Sequence, residues 1–290
     1  MEKGKPSRTA EFVAAVRAAH LLYDRPLLFE DPLAIQLTSA TWRVICENRL
    51  LHWLVMKKIL GALRPLHGQI LARSRYAEDQ LDKAISAGVR QYVLIGAGLD
   101  SFALRRQDVI SSLKVYELDH PATQAGKRKR LTQLRIPMPA NLEFVPVDLE
   151  RETIAEALAR SSHSSTSPAF FSWLGTTPYL TRDAVLSSLR SIARYATPGS
   201  ELVFDYRVSE ELLSASASKT REKVRKFTAR RGEPLKSTFD PCTLREEVSR
   251  LGFEVAEHLS PEEQWTRYFA KRNDGLRPVA SSSFLRLRIR

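Results

Sequence analysis

Residues 93–101, Val93-Leu94-Ile95-Gly96-Ala97-Gly98-Leu99-Asp100-Ser101, decide how this chain folds. With Gln91 and Tyr92 before them, the apolar residues make a short run of the type buried on both faces of a parallel sheet. The run ends in a G-x-G turn, where the backbone must bend sharply and something must approach it closely. A third glycine would complete the dinucleotide fingerprint, but Ser101 stands in its place.

Outward from this turn the pattern repeats. Candidate strands follow at 113–118, 142–147, 169–173 and 201–206, separated by helical stretches at 124–134, 154–160 and 182–195. Strands alternating with helices at this spacing predict right-handed βαβ units, hence an α/β fold with a doubly wound, mostly parallel, Rossmann-like sheet. Upstream the periodicity is helical: Thr9 to Ala19, a start at Asp31-Pro32, Trp42 to Leu63, and 70 to 87. Arg64-Pro65 is expected to end the third of these. The first 88 residues thus read as an N-terminal helical cap, packed as one unit with a Rossmann-like domain over 89–290. Downstream, a helix from Glu210 towards Phe227, a basic turn at Arg230-Arg231-Gly232, a helix at 242–251 and strands at 254–259 and 282–290 complete the chain.

Composition sets the outer limits. The 290 residues are 43% hydrophobic and 27% charged, ordinary for a globular protein with one large core. The two cysteines, Cys46 and Cys242, have no metal-ligand spacing and suit a reducing compartment. The start of the chain is polar, and the most apolar stretch, 50–63, is short and holds Lys57 and Lys58. A cytoplasmic protein without a membrane partner is expected. The net charge of +12 is dispersed, so it reads chiefly as a solvated surface. An RNA-binding or RNA-modifying protein is the alternative that this charge keeps open. The densest cluster, Lys127 to Arg130, is expected on a solvated helix face.

Two acidic strand ends give the turn a partner. Glu117 lies about twenty residues after Gly96, where a doubly wound fold places a carboxylate that binds ribose hydroxyls. The third strand ends in Val147-Asp148-Leu149, an acid that can accept from an adenine amino group followed by an apolar residue that can cover the ring. Asp148 reads equally as a helix N-cap, with Glu152 adding first-turn acidity.

Read together, RSRYAEDQL (73–81), YVLIGAGLDSFALR (92–105), YELDHPATQAGK (116–127) and VDLE (147–150) resemble the leucine carboxyl methyltransferase superfamily, especially its bacterial S-adenosylmethionine-dependent branch. The likeness extends to SRTAEF near the start, FFSWLGTTPYLTRDAV (170–185), RRGEPLKSTFDP (230–241) and RYFAKRNDGLRP (267–278), and so covers nearly the whole chain in order. The resemblance implies S-adenosyl-L-methionine as cofactor. It assigns Arg73 to the methionyl carboxylate, Gly96 and Gly98 to the turn beneath the methionine, Asp119 to the ribose, and Asp148 with Leu149 to the adenine. Glu117 stands beside these as a further cofactor contact, and Arg8 matches a basic residue near the cofactor carboxylate. Where the leucine-specific members carry a glutamate after the fourth strand, this chain has Leu174, which undercuts a C-terminal leucine as its substrate.

The resemblance implies methyl transfer from a sulfonium. A carboxylate acceptor is ionised at neutral pH and needs no base, so no catalytic side chain is expected. A phenol or alcohol acceptor would need one, and His20 and His120 are the candidates. The expected partner is a small-molecule acceptor, a carboxylic acid before others, rather than a nucleic acid. Trp173, Tyr179 and Tyr206, which follow strands, and Arg267 in the C-terminal stretch are the residues expected to meet it. The N-terminal helices would cover the site.

Overall fold

The computed structural model describes residues 7–230 and 232–290; the side chains of Arg8 and Ser216, and Arg231 in the expected basic turn, lie outside the described set. Its strands are β1 (Gln91–Ile95), β2 (Lys114–Asp119), β3 (Leu142–Pro146), β4 (Ala169–Trp173), β5 (Glu201–Arg207), β6 (Phe253–Leu259) and β7 (Ser282–Ile289). They form one sheet in the order β3-β2-β1-β4-β5-β7-β6. The first five pair in parallel, and β7 inserts antiparallel between β5 and β6. The chain therefore winds outward from β1 to β3, then returns to lay β4 on the other side of β1. That reversal opens a crevice at the carboxyl ends of β1 and β4, the place where open α/β sheets bind ligands.

Every residue of β1 and β4 is buried, as the apolar runs predict. Alternation then sends side chains to two different cores. Leu94, Phe170 and Val203 join Phe12, Val16, Leu71 and Tyr76 on one face. Val93, Ile95, Phe171 and Trp173 join Ile154, Leu189 and Val248 on the other. Each such large side chain contributes about 1.5–3 kcal/mol by leaving water. The result is three layers, with the sheet in the middle.

The helices are α1 (Arg8–Tyr23), α2 (Ala34–Leu37), α3 (Ala40–Glu47), α4 (Arg49–His52), α5 (Arg64–Ser86), α6 (Phe102–Arg105), α7 (Pro121–Gln133), α8 (Ile154–Ala159), α9 (Arg182–Tyr195), α10 (Ala215–Ala229), α11 (Pro241–Arg250) and α12 (Pro261–Gln264). Among the described residues, no helix is long and apolar enough to cross a membrane. The helices α1 and α5 share a core with the sheet itself, so the cap is a layer of the fold.

Three expectations fail here. Pro65 begins a helix instead of ending one: it occupies the first turn of α5, where a missing N–H costs nothing. The stretch 42–63 is broken into α3, α4, a π-helical segment at Trp53–Ile59 and a 3-10 turn at Gly61–Leu63. The basic cluster is also not one solvated face. Lys127 is buried, and its ammonium donates to Glu117 at 2.6 Å and to the Asp100 carbonyl at 2.5 Å. Arg130 pairs with Glu11 of α1 at 2.9 Å.

Candidate functional site

At the carboxyl ends of β1 to β5 the fold leaves a cavity of about 420 Å³. The helices α1, α5 and α10 and the segment 233–236 wall it from above. Two polar contacts hold this cover down: Ser7 Oγ donates to Glu233 at 2.8 Å, and Lys236 pairs with Glu150 at 2.9 Å.

The floor is the turn after β1. Gly96 adopts φ +70°, and a Cβ there would collide with the methyl of Thr176, so only glycine lets the two loops meet. The Gly98 N–H donates to Asp119 Oδ2 at 2.5 Å, and Asp119 Oδ1 accepts the His120 N–H at 2.6 Å. The strand-end acid therefore fixes the glycine turn while lining the cavity. Burial pushes the Asp119 carboxyl up, and the two backbone donors offset part of that. At the end of β3, Asp148 and Leu149 also line the cavity. Asp148 Oδ1 accepts the Glu150 N–H at 3.1 Å, within its own turn. It does not cap α8, whose N-terminus is served by a capping box of Thr153 and Glu156.

The opposite end is built on Asp205, a buried carboxylate in the middle of β5. It accepts the Gly175 N–H at 2.5 Å, Gln69 Nε2 at 3.3 Å and Arg73 Nη1 at 3.3 Å. Gly175 has φ +71°, and a Cβ at that position would enter the Arg73 guanidinium. Arg73 is thus held from α5 by a carboxylate on one side and a bare backbone on the other, at the edge of the cavity. Such an arrangement presents a preorganised cation to an anionic ligand group.

Arg73, Gly96, Asp119, Asp148, Leu149 and Tyr179 line one cavity, with Gly98 tied to Asp119 beside them. Four expected contacts lie elsewhere. Glu117 is buried against Lys127, off the cavity. Trp173 is fully buried in the core on the far face of the sheet. Tyr206 joins that same core, where its hydroxyl meets His258 Nε2 at 2.8 Å and burial pushes the phenol up to about 12. Arg267 is exposed and pairs with Glu257 at 2.5 Å. His20 is also away from the cavity, buried between Asp24 and the Leu28 N–H.

Several lining residues carried a signal too slight to single out. Asp205 sits inside the apolar strand 201–206, and a buried acid in such a run must have partners. Arg17 of α1 is buried and binds Asp31 at 3.4 Å, Asp100 at 3.1 Å and Ser74 at 3.0 Å. Burial opposes charge on Asp100, but Arg17, Arg105 and Lys127 outweigh it and hold the carboxyl low. Arg207 and Glu233, both buried, complete the wall beneath α10.

Comparison with known proteins points one way. The model of a family described as leucine carboxyl methyltransferase matches residues 10–193. A Bacillus subtilis protein that carries the name S-adenosyl-L-methionine-dependent methyltransferase YktD is 33% identical over 292 residues, 95% of each chain. A similarly named Frankia alni protein, FRAAL3718, is 34% identical over 197 residues, 67% of this chain and 66% of that one. Among solved structures, a DUF574 family protein from Streptomyces avermitilis shares the fold with a TM-score of 0.62 at 14% identity, covering 98% of both chains. A Thermobifida fusca protein described as a methyltransferase does so at 0.60 and 16%, covering 100% of this chain and 97% of that one.

Proposed function

The chain belongs to the leucine carboxyl methyltransferase family and is an S-adenosyl-L-methionine-dependent methyltransferase; from that premise we propose that it methylates a carboxylate oxygen of a small acid. The cavity suits the cofactor by the chemistry of its donors. Acids stand at the ends of β2 and β3, a braced guanidinium stands at the other end, and the glycines between leave the backbone bare. Arg73 binds the methionyl carboxylate, Asp119 the ribose hydroxyls, and Asp148 with Leu149 the adenine, above the turn of Gly96 and Gly98. When bound, the cofactor supplies a methyl group on a positively charged sulfur, open to in-line displacement. Leu174, which replaces the acid of the leucine-specific enzymes, gives the cavity an apolar wall at that point.

The observation that carries the carboxylate reading is the state of His120. It is the one imidazole among the described lining residues, and its Nδ1 accepts the Ala122 N–H at 3.2 Å as the N-cap of α7. Tyr179, pushed up to about 12 by burial and then by Glu233, stays protonated at neutral pH. The chain's residues would therefore align the acceptor and exclude water, while an acceptor ionised beforehand needs no proton removed.

Two measurements test this. With a carboxylate acceptor, kcat/KM should be flat from about pH 6 to 9, because an acid of pKa about 4 is already ionised there. A phenol would instead give a rate rising with pH towards its pKa near about 10, and that profile would overturn the proposal. His120→Ala should keep turnover within about threefold and cost about 1 kcal/mol of stability through the lost cap. A loss of about a hundredfold or more in kcat, with cofactor binding intact, would make His120 a base and the acceptor a hydroxyl.

A further inference from the structure

Arg207 closes β5 two residues after Asp205, so the two side chains leave the strand on the same side. It is 6% exposed and lines the cavity. Among the described residues its hydrogen-bond partner is one hydroxyl, Ser281 Oγ at 3.1 Å, and its buried Nε has none. The carboxylate that it feels, Asp205, is already committed to Gly175, Gln69 and Arg73. Burial and then Arg221 push this guanidinium down to about 10, which leaves it cationic at neutral pH. A buried cation without a counter-ion is costly, and proteins seldom keep one unless something brings the opposite charge.

Its place says which ligand brings it. The ends of β2 and β3 carry the acids assigned to the nucleoside, and β5 lies beyond β4 on the other side of the switch point. Tyr179 and Arg221 are close enough for Arg207 to feel them electrostatically, and Tyr179, Glu233 and, from α10, Val224 and Thr228 line the same cavity. This is the acceptor's half of the cavity.

Resting on the methyl-transfer reading above, we propose that Arg207 seats an anionic group of the acceptor that is not the group methylated, making the substrate a small acid with a second negative charge. The reason is a matter of charge. As the carboxylate oxygen forms its bond to the methyl carbon, the carbon–sulfur bond breaks and leaves its electron pair on sulfur. No proton moves, and both reacting charges vanish. A guanidinium clamped on the reacting carboxylate would bind the charged ground state better than the discharging transition state, and so would slow the reaction. On a spectator anion, the same guanidinium binds reactant, transition state and product alike. It then lowers KM without opposing kcat.

The test uses the enzyme saturated with S-adenosylhomocysteine and titrated with succinate, glutarate, adipate and phthalate, their monomethyl esters and their dimethyl esters. At least one diacid and its monoester should bind by calorimetry, and the diester should not. Arg207→Gln should weaken both by at least about tenfold, with S-adenosylhomocysteine affinity unchanged as the sign that the variant is folded, and Arg207→Lys should restore part of the binding. Equal binding to wild type and Arg207→Gln, or no diacid binding to wild type, overturns the proposal. If a diacid binds through Arg207 but the methylated product is not an ester, the carboxylate reading falls and this one stands. If simple monoacids are esterified with kcat/KM unaltered by Arg207→Gln, the reverse holds.

Discussion

Arg73→Ala should weaken S-adenosylmethionine and S-adenosylhomocysteine by about a hundredfold or more, yet leave 5′-methylthioadenosine, which lacks the methionyl carboxylate, nearly untouched. A charge-assisted hydrogen bond contributes about 1.5–3 kcal/mol, and tenfold in affinity corresponds to about 1.4 kcal/mol. The loss should sit at the upper end of that range. Removing the guanidinium leaves the buried side chain of Asp205 without its Arg73 partner, facing the place where the ligand's own carboxylate would lie. Calorimetry with the three ligands checks this. An equal loss for all three would mean that Arg73 acts through the fold, and no loss for any would put the carboxylate elsewhere.

Lys127→Met should cost about 3–5 kcal/mol of unfolding free energy at neutral pH, the usual consequence of stranding one member of a buried ion pair. Lys127 and Glu117 are both almost wholly buried, and among the described residues one Glu117 oxygen already lacks a partner. Burial pushes the Glu117 carboxyl up even with Lys127 present. A carboxyl raised in the folded state binds its proton more tightly there than in the unfolded chain. Its contribution is therefore present below the unfolded value and lost as pH rises through the folded one. Without Lys127 that folded value climbs further, so Lys127→Met should recover part of its deficit near about pH 5. The double variant Lys127→Met, Glu117→Leu should return most of the stability. Denaturant titration of the three proteins at both pH values decides it. A single variant as stable as the wild type would show that the pair carries no structural burden.

Much of the fold could be read from the chain because its central strands are buried on both faces. No polar residue is needed to mark a solvent side, so 91–95 and 169–173 announce themselves as apolar runs. The G-x-G turn announces itself for a related reason: only glycine allows the contact of Gly96 with Thr176. Other elements turn on facts that sequence spacing does not hold. Pro65 suits the first turn of a helix and the end of another equally well, and packing decides between them. Lys127 looks solvated because charge is usually exposed; its burial depends on Glu117 arriving from a neighbouring strand.

The site divides in the same way. Arg73, Gly96, Asp119, Asp148, Leu149 and Tyr179 all reach the cavity. Glu117 lies two residues before Asp119, but the ammonium of Lys127 captures it below the cavity floor. Trp173 and Tyr206 stand near strand ends, as ligand-binding aromatics can, yet they belong to the core on the other face of the sheet. Arg207 escaped notice because an arginine at a strand end looks solvated until the lid of α10 and 233–236 is in place.

The cavity is assembled from two stretches of chain, one on either side of the β5 strand's middle. Arg73, Gly96, Asp119 and Asp148 lie within residues 10–193, the span that the family model matches. Arg207, α10 and Glu233 come after it, carried by the tip of β5 and the excursion that follows. Substitutions in that later stretch can therefore reshape one wall of the cavity while Arg73, Gly96, Asp119 and Asp148 stay as they are. Change can thus accumulate along one wall of the cavity without disturbing the turns that form the other.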